Sequence, residues 1–144
     1  MYLACSLAYA LPEGHEVASG SAEFHLADPK SLQITVSDKA ILNYRKFNIQ
    51  EGERVNFVQP SADSTVLNRV SGNESSQILG SLSANGKVFL INPNGVFIGP
   101  SAMVNAGSFL VSTLDIRDED FLNEKYDFQI VKGKRRPRSL TKGS

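Results

Sequence analysis

Few side chains in this sequence are placed to do chemistry. His15 and His25 are the two imidazoles, and both stand in the N-terminal quarter with no nucleophile in a recognisable setting. General-base work needs a partner within hydrogen-bond reach, so exposed loop or strand histidines are the expectation. Two histidines with scattered acids fall short of a metal-ligand set. Asp115, Asp118, Glu119 and Asp120 lie close enough to share a calcium ion but lack the spaced Asp/Asn-Gly loop of a calcium hand. A solvated acidic surface and a cation site both fit that cluster. The stretch Gly80 to Gly86 lacks the closing Gly-Lys-Ser/Thr that cradles phosphate. A carboxylate pair for glycoside hydrolysis can come from distant residues, and no pair stands out. The expectation is a protein with no catalytic residue, metal or cofactor.

The elements that would position functional groups are more informative. Val88 to Ile98 sets Asn92-Pro93-Asn94-Gly95 between two apolar bursts. Asn92 can bond its side chain to backbone two residues on, Pro93 presets the second turn position, and Asn94-Gly95 tolerates positive φ. Val88–Ile91 and Val96–Ile98 have no polar interruption, the pattern of strands covered on both faces or lining a packed interior.

From Leu32 the chain alternates in similar bursts. Leu32-Gln33-Ile34-Thr35-Val36 has strict period two, and Phe47-Asn48-Ile49 and Val55-Asn56-Phe57 repeat it. Turn signals at Gly72, Gly80, Asn85-Gly86, Asn94-Gly95, Gly99-Pro100 and Asn105–Gly107 leave room only for short strands. The best helical candidate, Asp118 to Glu124, is brief and acidic. Phe89-Leu90-Ile91 recurs as Phe109-Leu110-Val111 at an offset of 20, with Ala102–Asn105 as an intermediate strand. Three short strands per repeat of that length suit a parallel β-helix, although a sandwich also accommodates the offset. Asn68, Asn85, Asn92, Asn94 and Asn105 sit beside apolar bursts, where stacked corner asparagines could satisfy one another. Ordinary turn usage explains each one equally.

A chain of 144 residues, 41% hydrophobic, suffices for one domain with a core. No apolar run approaches the ~20 residues of a membrane-spanning helix. The zero net charge hides an asymmetry. Six basic residues and no acid follow from Lys132, so residues 1–131 carry nine bases against fifteen acids, a formal −6. An acidic body is a poor nucleic-acid surface, and none is expected as a partner. Residues 132–144 read as a basic, disordered tail. The single Cys5 excludes an internal disulfide. Tyr2 to Ala10 is apolar and small, and Ala8-x-Ala10 has the spacing signal peptidase accepts. Residues 1–10 therefore read as a signal-peptide remnant, with a strand that caps the core as the alternative.

One ordered set of residues carries a family resemblance. It runs through Ala40–Ile49 with Asn43, Phe47 and Asn48, then Asn56, Phe57, Gln59 and Pro60, then Val66–Val70 with Asn68 and Arg69. Ser76–Gly80, Asn85–Gly95 and Ser112–Ile116 follow. In this order they resemble the N-terminal secretion (haemagglutination activity) domain of the filamentous haemagglutinin family of two-partner-secreted exoproteins. The look is closest to the high-molecular-weight adhesin branch. The match covers roughly Leu11 to Phe128, so the domain is expected over residues 11–131. An additional upstream Asn-Pro-Asn-Leu motif found in another branch has no counterpart here.

The resemblance implies an all-β fold, a truncated right-handed parallel β-helix with short extra-helical β elements. It implies a non-enzymatic secretion-targeting domain of a large surface-exposed or secreted exoprotein, an adhesin by analogy. The implied route uses the general secretory machinery into the periplasm of a Gram-negative-type bacterium. There the periplasmic (POTRA) domains of a dedicated outer-membrane pore recognise it, and the product reaches the surface or the medium. Asn92, Pro93, Asn94 and Gly95 match the motif tied to secretion, by direct contact or by shaping the fold. Asn43, Phe47, Asn48, Asn56, Phe57, Gln59, Pro60, Asn68 and Arg69 match its structural pattern. A host-cell surface ligand would be met by a downstream region. The closing Gly133–Arg138 has no counterpart in the family, which suggests a fragment or truncated product. A β-helical carbohydrate-active enzyme and a free-standing surface-binding module are the alternatives.

Overall fold

The computed structural model describes residues 11–126. The signal-like segment with Cys5 and the basic tail lie outside the described residues. Among the described residues, ten of twelve strands wind into a parallel β-helix of about four turns. The first coil holds β3 (Ser31–Val36), β4 (Ala40–Tyr44) and a single-residue bridge at Ile49. The second holds β5 (Arg54–Val58), β6 (Thr65–Val70) and β7 (Ser76–Ile78), and the third β8 (Ser81–Ala84), β9 (Lys87–Ile91) and β10 (Val96–Ile98). The last holds β11 (Met103–Asn105) and β12 (Ser108–Ser112). Corresponding strands of successive coils pair in parallel and build three faces.

Alternation along each strand feeds the interior. Leu32, Ile34 and Val36 of β3, Leu42 and Tyr44 of β4, Val55 and Phe57 of β5, and Val88 and Leu90 of β9 form one buried cluster. Inner coils are paired on both edges, but the first coil has an outer edge that no parallel strand covers, and strands of opposite direction close it. β1 (Glu16–Ser19) runs antiparallel to β4, and β2 (Ala22–Asp28) antiparallel to β3. They cap the solenoid and protect its edge from stray pairing. His15 and His25 lie on this exposed cap, and the His15 ring stacks on Phe24 at a centroid distance of 3.7 Å.

The face built from β4, β6, β9 and β12 is covered on both sides. Ile41, Leu67, Phe89 and Ile91 point away from the interior into a second cluster with Ile116 and Phe121. The last two come from a strap that leaves β12 and carries the short helix α1 (Asp118–Leu122) across the outside of the sheet. This explains the uninterrupted apolar run Val88–Ile91, as expected of a strand buried on both faces.

Two expectations need correction. Phe109 pairs over Val88 and Leu110 over Phe89, so the repeat here is 21 residues and not 20. Side chains alternate faces with period two, so a 20-residue register would turn the inward Phe109 outward. Val96–Ile98 is not covered on both faces: Phe97 and Ile98 are exposed, because β10 belongs to the last coil on its face and nothing packs beyond it among the described residues.

Candidate functional site

The corner Asn92-Pro93-Asn94-Gly95 joins β9 to β10, and its geometry follows from its residues. The Gly95 N–H donates to the Asn92 carbonyl at 2.9 Å and closes a β-turn with proline at the second position. Gly95 has φ +103°, which side-chain-bearing residues rarely adopt, and a Cβ there would meet no atom within 4 Å. Its requirement is conformational, with no crowding.

Asn92 is 0% exposed, and its amide is fully used. Nδ2 donates to the Glu74 carbonyl (3.0 Å) and Ser76 Oγ (2.9 Å), and Oδ1 accepts from the Asn94 N–H (2.9 Å) and Asn94 Nδ2 (3.1 Å). Its backbone N–H donates to the Ser112 carbonyl at 3.0 Å. One residue thus ties the third coil to the second and the fourth. Asn94 Nδ2 also donates to the Gly72 carbonyl at 2.8 Å. Pro93 and Asn94 line a shallow cleft of about 350 Å³ together with Arg69, Gly72, Asn73 and Asp115.

The remaining polar family residues Asn48, Asn56, Gln59 and Asn68 are cross-ties of the same kind. Asn48 Oδ1 accepts from the Gln77 N–H (2.8 Å), and Asn56 Oδ1 from Ser83 Oγ (2.9 Å). Gln59 spans a whole corner: its backbone exchanges bonds with the Asn85 amide, its Oε1 takes the Gly86 N–H, and its Nε2 reaches the Lys87 carbonyl. Asn68, fully buried, accepts from Tyr44 Oη (2.8 Å) and donates to the Phe89 carbonyl (3.2 Å). Burial drives the Tyr44 phenol well above its ordinary pKa, so it remains a donor. Phe47 and Phe57 fill the core, with Phe47 edge-on to Tyr44 at 5.0 Å, while Pro60 is exposed. Asn43, Asn48, Asn56, Asn68, Asn85, Asn92 and Asn94 each bond a group other than asparagine on a neighbouring coil.

Arg69 plays a part that its sequence position does not reveal. Its guanidinium holds Asp115 (2.9 Å), Asp118 (2.8 Å), the Ile116 carbonyl (2.7 Å) and Asn43 Oδ1 (3.2 Å). Burial opposes its charge, but the two carboxylates outweigh that and raise its pKa. Three acids of the cluster are thus paired with arginines, Asp115 and Asp118 with Arg69 and Asp120 with Arg117 at 3.3 Å, while Glu119 is exposed. Among the described residues, no three His, Cys, Asp or Glu side chains converge as a metal site.

The described residues thus form a capped parallel β-solenoid whose polar motif residues tie neighbouring coils together. The chain belongs to the TPS secretion domain family, whose model matches residues 14–137. It is 36% identical over 118 residues to a heme/hemopexin-binding protein of Haemophilus influenzae, covering 81% of this chain and 13% of that protein. A heme/hemopexin-binding protein of H. influenzae strain Rd is 38% identical over 106 residues, covering 74% of this chain and 12% of that protein. The chain thus spans about an eighth of the length of these relatives. The crystal structure of the HMW1 secretion domain from H. influenzae superposes with a TM-score of 0.83 at 41% identity, over 86% of this chain and 33% of that one. The protein is thus the secretion domain of a two-partner-secreted exoprotein, a class that crosses the outer membrane by way of the periplasm. Domains of this family are recognised by an outer-membrane partner and form no enzyme family.

Proposed function

We propose that the chain is read by the periplasmic POTRA domains of its own outer-membrane pore while still extended, after entering the periplasm by the general secretory route. One observation carries this reading: the polar side chains of Asn92, Asn94, Asn68 and Gln59 are turned into bonds between and within coils. The folded domain buries Asn92, Asn68 and Gln59 and leaves Asn94 half-exposed, so the complete set is open to a partner only in the unfolded chain. Recognition by backbone strand addition to the partner's sheet edge suits such a chain, with alternate side chains supplying specificity. Asn92, Pro93, Asn94 and Gly95 then serve export by shaping the fold that forms on the far side. Burial of apolar surface in each completed coil, at about 25 cal/mol per Å², opposes return. The longer exoprotein would carry a surface-binding activity toward a host-cell ligand.

The test presents immobilised periplasmic domains of the cognate pore with urea-unfolded chain, diluted at the moment of mixing, and with prefolded chain. Capture of the refolding chain, lost as β-structure appears, is the expected result. Equal or better capture of the folded domain, abolished by Asn92→Ala, would overturn the proposal in favour of direct reading of the corner.

A further inference from the structure

The strap that follows β12 has an arrangement that the secretion reading does not require. It begins in the last coil and ends against the first. Ile116 and Phe121, 1% and 0% exposed, are buried against Ile41 of the first coil, Leu67 of the second, and Phe89 and Ile91 of the third. Tyr126 sets its ring against Phe89 at 5.0 Å. Arg69 of the second coil grips the strap at Asp115, Asp118 and the Ile116 carbonyl while holding Asn43 of the first coil. Beyond α1, Lys39 at the entrance to β4 donates to the Leu122 carbonyl (3.2 Å) and pairs with Glu124 (2.9 Å).

The docking site is composite. Ile41, Leu67 and Phe89 come into one stripe only when β4, β6 and β9 are in register, with Ile41 beside Leu67 and Leu67 beside Phe89. α1 has five residues, far fewer than the ~12–15 at which an isolated helix becomes even marginal, so docking is what orders it. A bare solenoid contacts itself only between neighbouring coils, and its open end can fray one coil at a time. A strap from the last coil to the first changes that, because the last coil cannot peel away while its continuation stays anchored.

We propose that residues 113–126 are a latch that closes only once β4, β6 and β9 are in register and couples the fourth coil to the first, so that in this chain opening of the fourth coil and global unfolding are one event. The latch stands apart from the pore reading, since it concerns the folded domain alone.

Hydrogen exchange on the whole chain and on two variants tests it. In the wild type, amides of β10–β12 and of β4 and β6 should exchange through one opening event, at rates within about twofold after intrinsic correction. Phe121→Ala should leave β4 and β6 protected and accelerate β10–β12 by about tenfold or more. Lys39→Met, which removes only the far anchor, should uncouple them by about two- to fivefold. Pulse labelling during wild-type refolding should protect the Asn123 amide after the amides of β4, β6 and β9. The proposal is overturned if β10–β12 stay coupled in both variants, or if the strap gains protection before or together with the ladder. Should Phe121→Ala fail to fold, Lys39→Met and the pulse-labelling order decide.

Discussion

Replacing Asn92 by alanine should be the most damaging single change in the corner. The side chain makes four hydrogen bonds in a site with no solvent access. Its loss strands Ser76 Oγ, itself fully buried, and the Asn94 N–H, while the Glu74 carbonyl loses a donor. A buried polar group left without a partner costs about 1–3 kcal/mol, so two such groups, relaxing in part, should cost about 3 kcal/mol. That is a large share of the ~5–15 kcal/mol that holds a domain together. The backbone bonds to Ser112 and from Gly95 survive the change, so the fold should persist. With a urea slope of about 2 kcal/mol per molar, the unfolding midpoint should fall by about 1.5 M with the slope unchanged. Asn94→Ala, at a half-exposed position, should lose only about 1 kcal/mol. Equilibrium urea unfolding followed by far-ultraviolet circular dichroism measures both. An Asn92→Ala midpoint within about 0.3 M of wild type would refute the claim that this amide ties the coils together. Export measured in parallel should follow the loss of stability if the corner acts through the fold.

The glycines of two corners should separate conformation from crowding. Gly95→Ala meets open space and should cost about 1–2 kcal/mol for its backbone alone, whereas Gly80→Ala would drive a Cβ into the Gln50 and Glu53 carbonyls and should abolish folding. Expression and thermal melts of the pair decide it. Tyr44→Phe should lose about 1–2 kcal/mol, because Asn68 Oδ1 is left buried without its donor; a neutral outcome in urea unfolding would contradict that bond. The strap's far anchor should respond to acid. The Lys39 ammonium bonded to Glu124 holds that carboxyl below its ordinary range, and Glu124 in turn raises Lys39. The Glu124 contribution is complete above its unfolded value and is lost as pH falls through the lowered one. The Lys39 contribution is complete below its ordinary value and is lost as pH rises through the raised one. The anchor should therefore be constant across neutral pH. Titrating the Glu124 carboxyl by nuclear magnetic resonance should give a depressed midpoint that Lys39→Met restores; identical midpoints would remove the anchor.

Residue order alone determined that this chain is a succession of short strands with an asparagine-proline corner; periodicity fitted a sandwich as well as a stack, and the family resemblance implied the stack. Burst length, period-two alternation and turn chemistry are local properties, legible without the partners each strand finds. Three things were decided only in the folded molecule. The register of β12 was one, since Phe89 and Phe109 look equivalent along the chain and only stacking shows that they face opposite ways. The antiparallel cap was another, because the partner of β2 depends on which edge of the first coil stands open. The third was the role of Arg69 with the acids Asp115 and Asp118. They lie 46 residues or more away in sequence, and the charges could pass for solvated surface until the strap folds back over the sheet. Local sequence specifies what each segment prefers. Contacts between distant coils, which depend on the whole stack being formed, decide which apolar face is covered and which charge is paired.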